Sequence, residues 1–112
     1  ARQGARPPQM KLRWTKRART DLLEIGRYIA RDKPGAARRW VERIRQGART
    51  AARQPRAGRM VPELGRDDLR EVLIGNYRIV YEVHREEIRI LTVFEGHHLL
   101  PKSLSGDSSP DS

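Results

Sequence analysis

The chain has 112 residues, 37% hydrophobic and 34% charged, which suffices for one domain with a modest core and is too short for two. Twenty-four basic residues, twenty of them Arg, against fourteen acidic ones give a net charge of +10, which points to an acidic partner: nucleic acid or a protein segment rich in Asp and Glu. No apolar run approaches the roughly 20 residues that span a bilayer, and the lack of Cys excludes disulfides and thiolate metal sites and suits a reducing cytoplasm.

Residues 1–9, Ala-Arg-Gln-Gly-Ala-Arg-Pro-Pro-Gln, read as a disordered extension ahead of Met10. Discounting Arg2 and Arg6 takes the charge only from +10 to +8, so the basic character belongs to the domain. Met10-Lys11-Leu12-Arg13-Trp14 alternates apolar and basic residues, as a strand does. Thr15 is a good N-cap for a helix running to about Arg31, with Ala18, Leu22, Ile25 and Ile29 on one face and Tyr28 flanking them. Asp32-Lys33-Pro34-Gly35 breaks that helix, and Pro34 can start the next. From Ala36 to about Arg53, Ala37, Trp40, Val41, Ile44, Ala48 and Ala51 share one face. Arg38, Arg39, Arg43, Arg45, Arg49 and Arg53 occupy the other, opposed only by Glu42. So short a link makes the two helices antiparallel neighbours. Trp14 and Trp40 read as core residues.

Beyond the hairpin, Met60 to Gly65 runs extended, and Pro62 keeps it away from any central strand position. Leu69–Ile74, Tyr77–Val83 and Ile88–Phe94 are three runs rich in Val, Ile and Tyr, separated by Gly75-Asn76 and a charged turn; they describe an antiparallel meander. On the middle run Tyr77, Ile79, Tyr81 and Val83 form an apolar face for the helices to cover. Arg78, Val80, Glu82 and His84 form a second face, open to a partner. The expected architecture is α+β: an N-terminal strand and a two-helix antiparallel hairpin packed on a curved, mainly antiparallel four-stranded sheet. The domain spans 10–102, followed by a disordered tail over 103–112.

The sequence has no nucleophile elbow, Gly-rich phosphate loop or metal-ligand spacing, and implies no cofactor and no metal. Metal-free RNA cleavage would need cations for the phosphorane and groups that move protons. Arg78 and Arg70 are the cation candidates. His97 and His98, just past the last strand, are the acid–base candidates, ahead of Glu71 and Glu95. Each also has a bland reading: the arginines as cross-strand ion pairs with Glu71, Glu82 or Asp68, the histidines as surface residues at a strand end.

Asp21-Leu22 and Ile25-x-x-Tyr28-Ile29, Gln54-Pro55-Arg56-Ala57-Gly58-Arg59, Leu69-Arg70-Glu71-Val72, Tyr77-Arg78-Ile79-Val80-Tyr81 and Val93-Phe94-Glu95-Gly96-His97, in that order, resemble the RelE/ParE superfamily. These are the toxins of bacterial type II toxin–antitoxin modules, and the likeness runs from about Lys11 to Leu100. It implies a cytoplasmic toxin that forms a hetero-oligomer with a short, acidic, partly disordered antitoxin. RelE-like members cut mRNA on the ribosome without a metal; ParE-like members interfere with DNA gyrase and are not known as nucleases. By the resemblance Arg78 matches the arginine that RelE-like nucleases place on the scissile phosphate. RelE-like nucleases also carry a lysine-rich second strand and a C-terminal tyrosine. This chain has no Lys between Lys33 and Lys102 and no Tyr after Tyr81. The resemblance is therefore nearer the ParE branch and implies a non-enzymatic inhibitor of gyrase, with a ribosome-dependent endoribonuclease or a degenerate toxin that only binds antitoxin as the alternatives.

Overall fold

Thr15 ends a four-residue strand, β1 (Lys11–Trp14), and caps the helix that follows, α1 (Lys16–Ala30). Its hydroxyl oxygen accepts from the Ala18 amide at 3.1 Å, filling one of the donor positions that a helix start leaves open. The same hydroxyl donates to the Ile90 carbonyl at 2.8 Å, so one buried side chain both starts the helix and fixes it to the sheet. The computed structural model describes residues 10–96, so His97, His98 and both expected tails lie outside the described residues.

Pro34 opens the second helix, α2 (Pro34–Arg53), after a three-residue link, and the two helices pack as an antiparallel pair. Helix α1 buries Ala18 and Leu22; α2 buries Ala37, Ile44, Gly47, Ala48, Ala51 and Ala52. Small residues let these backbones approach closely. A Cβ on Gly26 would lie 3.1 Å from Val41, and one on Gly47 would lie 2.8 Å from Ile74. Tyr28, expected beside the apolar stripe of α1, is instead 69% exposed, because its position turns it off the edge of that stripe.

The sheet has five strands rather than the four expected. After α2 come β2 (Arg59–Met60), β3 (Leu69–Ile74), β4 (Tyr77–Val83) and β5 (Glu87–Glu95), in the spatial order β1-β5-β4-β3-β2. Strand β1 runs parallel to β5 and all other pairs are antiparallel. The extra strand is two residues long, too short to show any periodicity, and it lies at the edge just before Pro62. Gly75 turns β3 into β4 with φ 58°, and a Cβ there would fall 2.4 Å from Trp40, so both the turn and the packing require glycine. A bulge makes Leu91 an extra residue on β5, which returns Val93 to the helix side.

The main core lies between the helices and one face of the sheet, around Ile44, Ile79, Tyr81, Ile88, Ile90 and Val93. Trp14 and Trp40 are half-buried at its margin, and Trp40 meets Tyr77 edge to face at 5.5 Å. The opposite face is not open, as its charged side chains had suggested. Val61, Leu69, Val80 and Leu91 form a second small core there, with Leu64 and Phe94 packed against it. Val61 and Leu64 belong to a tight turn, held by Leu64 and Gly65 amides donating to the Val61 carbonyl, that closes over the sheet. No helix among the described residues is long and apolar enough to cross a membrane.

Candidate functional site

Arg78 lies on the face covered by that turn and is only 6% exposed. Its guanidinium makes a two-pronged pair with Glu63, Nη1 to Oε2 at 2.9 Å and Nη2 to Oε1 at 2.8 Å. Its Nε donates to Glu71 Oε1 at 2.8 Å, and the Phe94 ring lies 5.1 Å away. Glu71 is itself buried and accepts from Arg59 with its other oxygen. The result is a chain of alternating charges, Glu63–Arg78–Glu71–Arg59, closed to solvent at its centre. The hydrogen bonds that Arg78 donates to Glu63 and Glu71 outweigh burial and raise its pKa further above the ordinary value. The sequence offered Glu71 among the cross-strand ion-pair partners of the arginines. It missed Glu63, whose only signal was a carboxylate in the segment after Pro62.

Arg70 is held elsewhere. It pairs across strands with Tyr81, whereas Arg78 pairs with Leu73, so the two arginines point to opposite faces of the sheet. The Arg70 guanidinium binds Asp67 Oδ1 at 2.7 Å and the Gly58 carbonyl at 3.1 Å, which pins the segment after α2 to the start of β3. The structure thus does not gather Arg70 and Arg78 around a common point. Glu82, buried on the Arg78 face, meets His84 at 2.5 Å and Arg66 at 3.4 Å. Arg66 also binds Asp68 at 2.7 Å and holds that carboxyl below the usual carboxylate range. No group of three or more His, Cys, Asp or Glu side chains among the described residues is placed to hold a metal ion.

A broad concave surface lies instead between the two helices. This groove of about 960 Å³ has a floor of Trp14, Leu22, Gly26, Ala37 and Val41, with Leu23 at its side. Arg19, Arg27, Arg38 and Arg45 line it, with Glu42 as the only acidic residue among the described ones. Leu23 is 54% exposed, an apolar side chain left uncovered beside buried Leu22. An apolar floor with basic walls suits an amphipathic segment carrying acidic residues beside its apolar ones. The adjacent pair Leu22-Leu23 was the one sequence signal for it, since a single helix stripe buries only the first.

The model of the ParE toxins of type II toxin–antitoxin systems, parDE, matches residues 12–99, nearly the whole domain. The chain belongs to this family. A relative, the candidate toxin Y4kP of Sinorhizobium fredii, is 39% identical over 97 residues, covering 84% of this chain and 96% of that protein. Among solved structures, the chromosomal ParDE toxin–antitoxin system of P. aeruginosa superposes with a TM-score of 0.67 at 22% identity, over 78% of this chain and 96% of the matched chain. That likeness concerns the fold, and it agrees with the α+β arrangement of two helices on a mixed sheet. This ParE-family chain is thus a toxin of the type II toxin–antitoxin class.

Proposed function

We propose that this ParE-family toxin arrests growth by binding DNA gyrase, and that a short acidic antitoxin neutralises it by folding into the groove between α1 and α2. The observation that carries the reading is the engagement of Arg78. A phosphate ligand must be free to meet its substrate, yet this guanidinium is buried and already held by two carboxylates. Freeing it would strip buried Glu71 of one of its two arginines, leaving Arg59 alone on its other oxygen, a costly rearrangement. Arg70, on the other face, is spent on Asp67 and backbone carbonyls. Both arginines are explained by holding the fold, which supports action by binding rather than by phosphate chemistry. The uncovered apolar groove with its arginine walls supports a macromolecular partner. The acidic antitoxin is its occupant on this reading, because the walls supply the opposite charge.

The test is expression from a tightly controlled promoter. Wild type is expected to cause filamentation and DNA-damage signalling with intact messenger RNA. The His97→Ala, His98→Ala double variant is expected to keep that toxicity, since on this reading neither histidine moves a proton in a reaction. Rapid translation arrest with cleaved transcripts, abolished in the double variant while antitoxin binding persists, would establish the endoribonuclease alternative instead.

A further inference from the structure

The outer face of α2 differs in kind from the groove beside it. Along the helix, Arg39, Arg43, Gln46, Thr50 and Arg53 recur at spacings of four, three, four and three, with Arg49 alongside. Over fourteen residues this stripe extends about 21 Å. Every one of these side chains carries a hydrogen-bond donor, and none is apolar.

Three of the four guanidinium groups are also held in place. Arg43 lies over the Trp40 ring at 4.3 Å. Arg49 binds Gln46 at 3.0 Å and Glu42 at 2.6 Å, and Arg53 approaches Thr50 at 3.4 Å. Among the described residues Arg39 meets no carboxylate. Solubility alone does not require cations in fixed positions. Pre-ordering does reduce the entropy lost when a regular polyanion binds.

We propose that this face of α2 binds the phosphate backbone of duplex DNA, without reading its sequence. The stripe itself carries no apolar side chain; a hollow of about 380 Å³, which Arg43, Gln46 and Thr50 share with Val72, Ile74 and Tyr81, lies beside it, so an acidic peptide is the competing ligand that the polyglutamate comparison separates from duplex. A single strand is a poorer fit because it calls for an open aromatic platform. Trp40 is closed to that use by Arg43 on its face and by Tyr77 at its edge. The inference does not depend on gyrase, since the ligand is bare duplex.

The experiment measures fluorescence anisotropy of the full chain with a labelled 20-base-pair duplex of arbitrary sequence, across a salt series. Arg49 shares its charge with Glu42, so about three phosphate contacts give a slope near −2.7 in log K against log salt, which is a loss of about 40-fold between 50 and 200 mM. Replacing Arg39, Arg43, Arg49 and Arg53 by Gln should weaken binding at 50 mM by about 30-fold or more and flatten the slope. A variant sparing Arg43 should still lose more than about tenfold, which guards against an effect of uncapping Trp40. Replacing Lys11, Arg13, Lys16 and Arg85 by Gln removes the same charge elsewhere and should change affinity by less than about threefold. An equal loss in that control would mean diffuse attraction and overturn the proposal. So would tighter binding to single-stranded DNA or to polyglutamate than to duplex, or no binding at 50 mM salt.

Discussion

Arg78 shows how little a residue's type says about its task until its surroundings are known. Period-two alternation puts Arg78 and Glu82 on one face of β4, and a charged face reads as solvent-facing. Both are buried, because the turn at Val61–Gly65 closes over them and brings Glu63 from fifteen positions earlier. Removing Glu71 takes one of two carboxylates from a buried guanidinium while Glu63 stays in place. Glu71→Ala is therefore expected to lower stability by roughly 1–3 kcal/mol, measured by urea unfolding; a loss under about 0.5 kcal/mol would mean that Arg78 reorganises freely and is available to a substrate. Two pairs with half-buried carboxylates give a pH dependence. Hydrogen bonds from Arg66 hold the Asp68 carboxyl low, and hydrogen bonds from Arg89 hold the Glu87 carboxyl low. A carboxyl whose folded pKa is depressed adds stability above its unfolded pKa and loses it as pH falls through the folded one. The urea midpoint should therefore drop between about pH 5 and pH 3, and Asp68→Asn combined with Glu87→Gln should drop less. An equal fall in the double variant would assign the acid sensitivity to other groups.

The two helices were legible because their apolar residues recur with the helical period and their ends carry a Thr cap and a Pro start. The meander was legible because Gly75-Asn76 and a charged turn divide three β-rich runs. Two elements escaped for physical reasons. Strand β2 has two residues and acquires its identity only by pairing with Glu71 and Arg70. The turn that covers the second face is set by long-range packing of Val61 and Leu64 against Leu69, Val80 and Leu91, which no local pattern encodes. The helical face itself can be checked by substitution. Ile44 is fully buried, so Ile44→Ala should cost about 2–4 kcal/mol, while exposed Arg45→Ala should change stability by within about 0.5 kcal/mol. Similar losses at both positions would mean that α2 is rotated relative to the sheet.

Among the described residues, three surfaces differ in character. The groove between α1 and α2 combines an apolar floor with arginine walls, the outer stripe of α2 is polar, and the sheet's second face is closed. That division explains how a small basic domain can present binding surfaces without exposing its core. It also explains why the family was readable from the sequence while the candidate site was not. Motif order survives in the linear chain, but whether Arg78 or the groove is accessible depends on the covering turn and on helix packing. The most direct measurement is supercoiling of relaxed plasmid by purified gyrase in the presence of the purified chain. The account expects dose-dependent inhibition, relieved by one equivalent of cognate antitoxin, and unchanged inhibition by the His97→Ala, His98→Ala variant. Unimpaired supercoiling at toxin in large excess, together with cleavage of ribosome-bound mRNA by the same preparation, would contradict it.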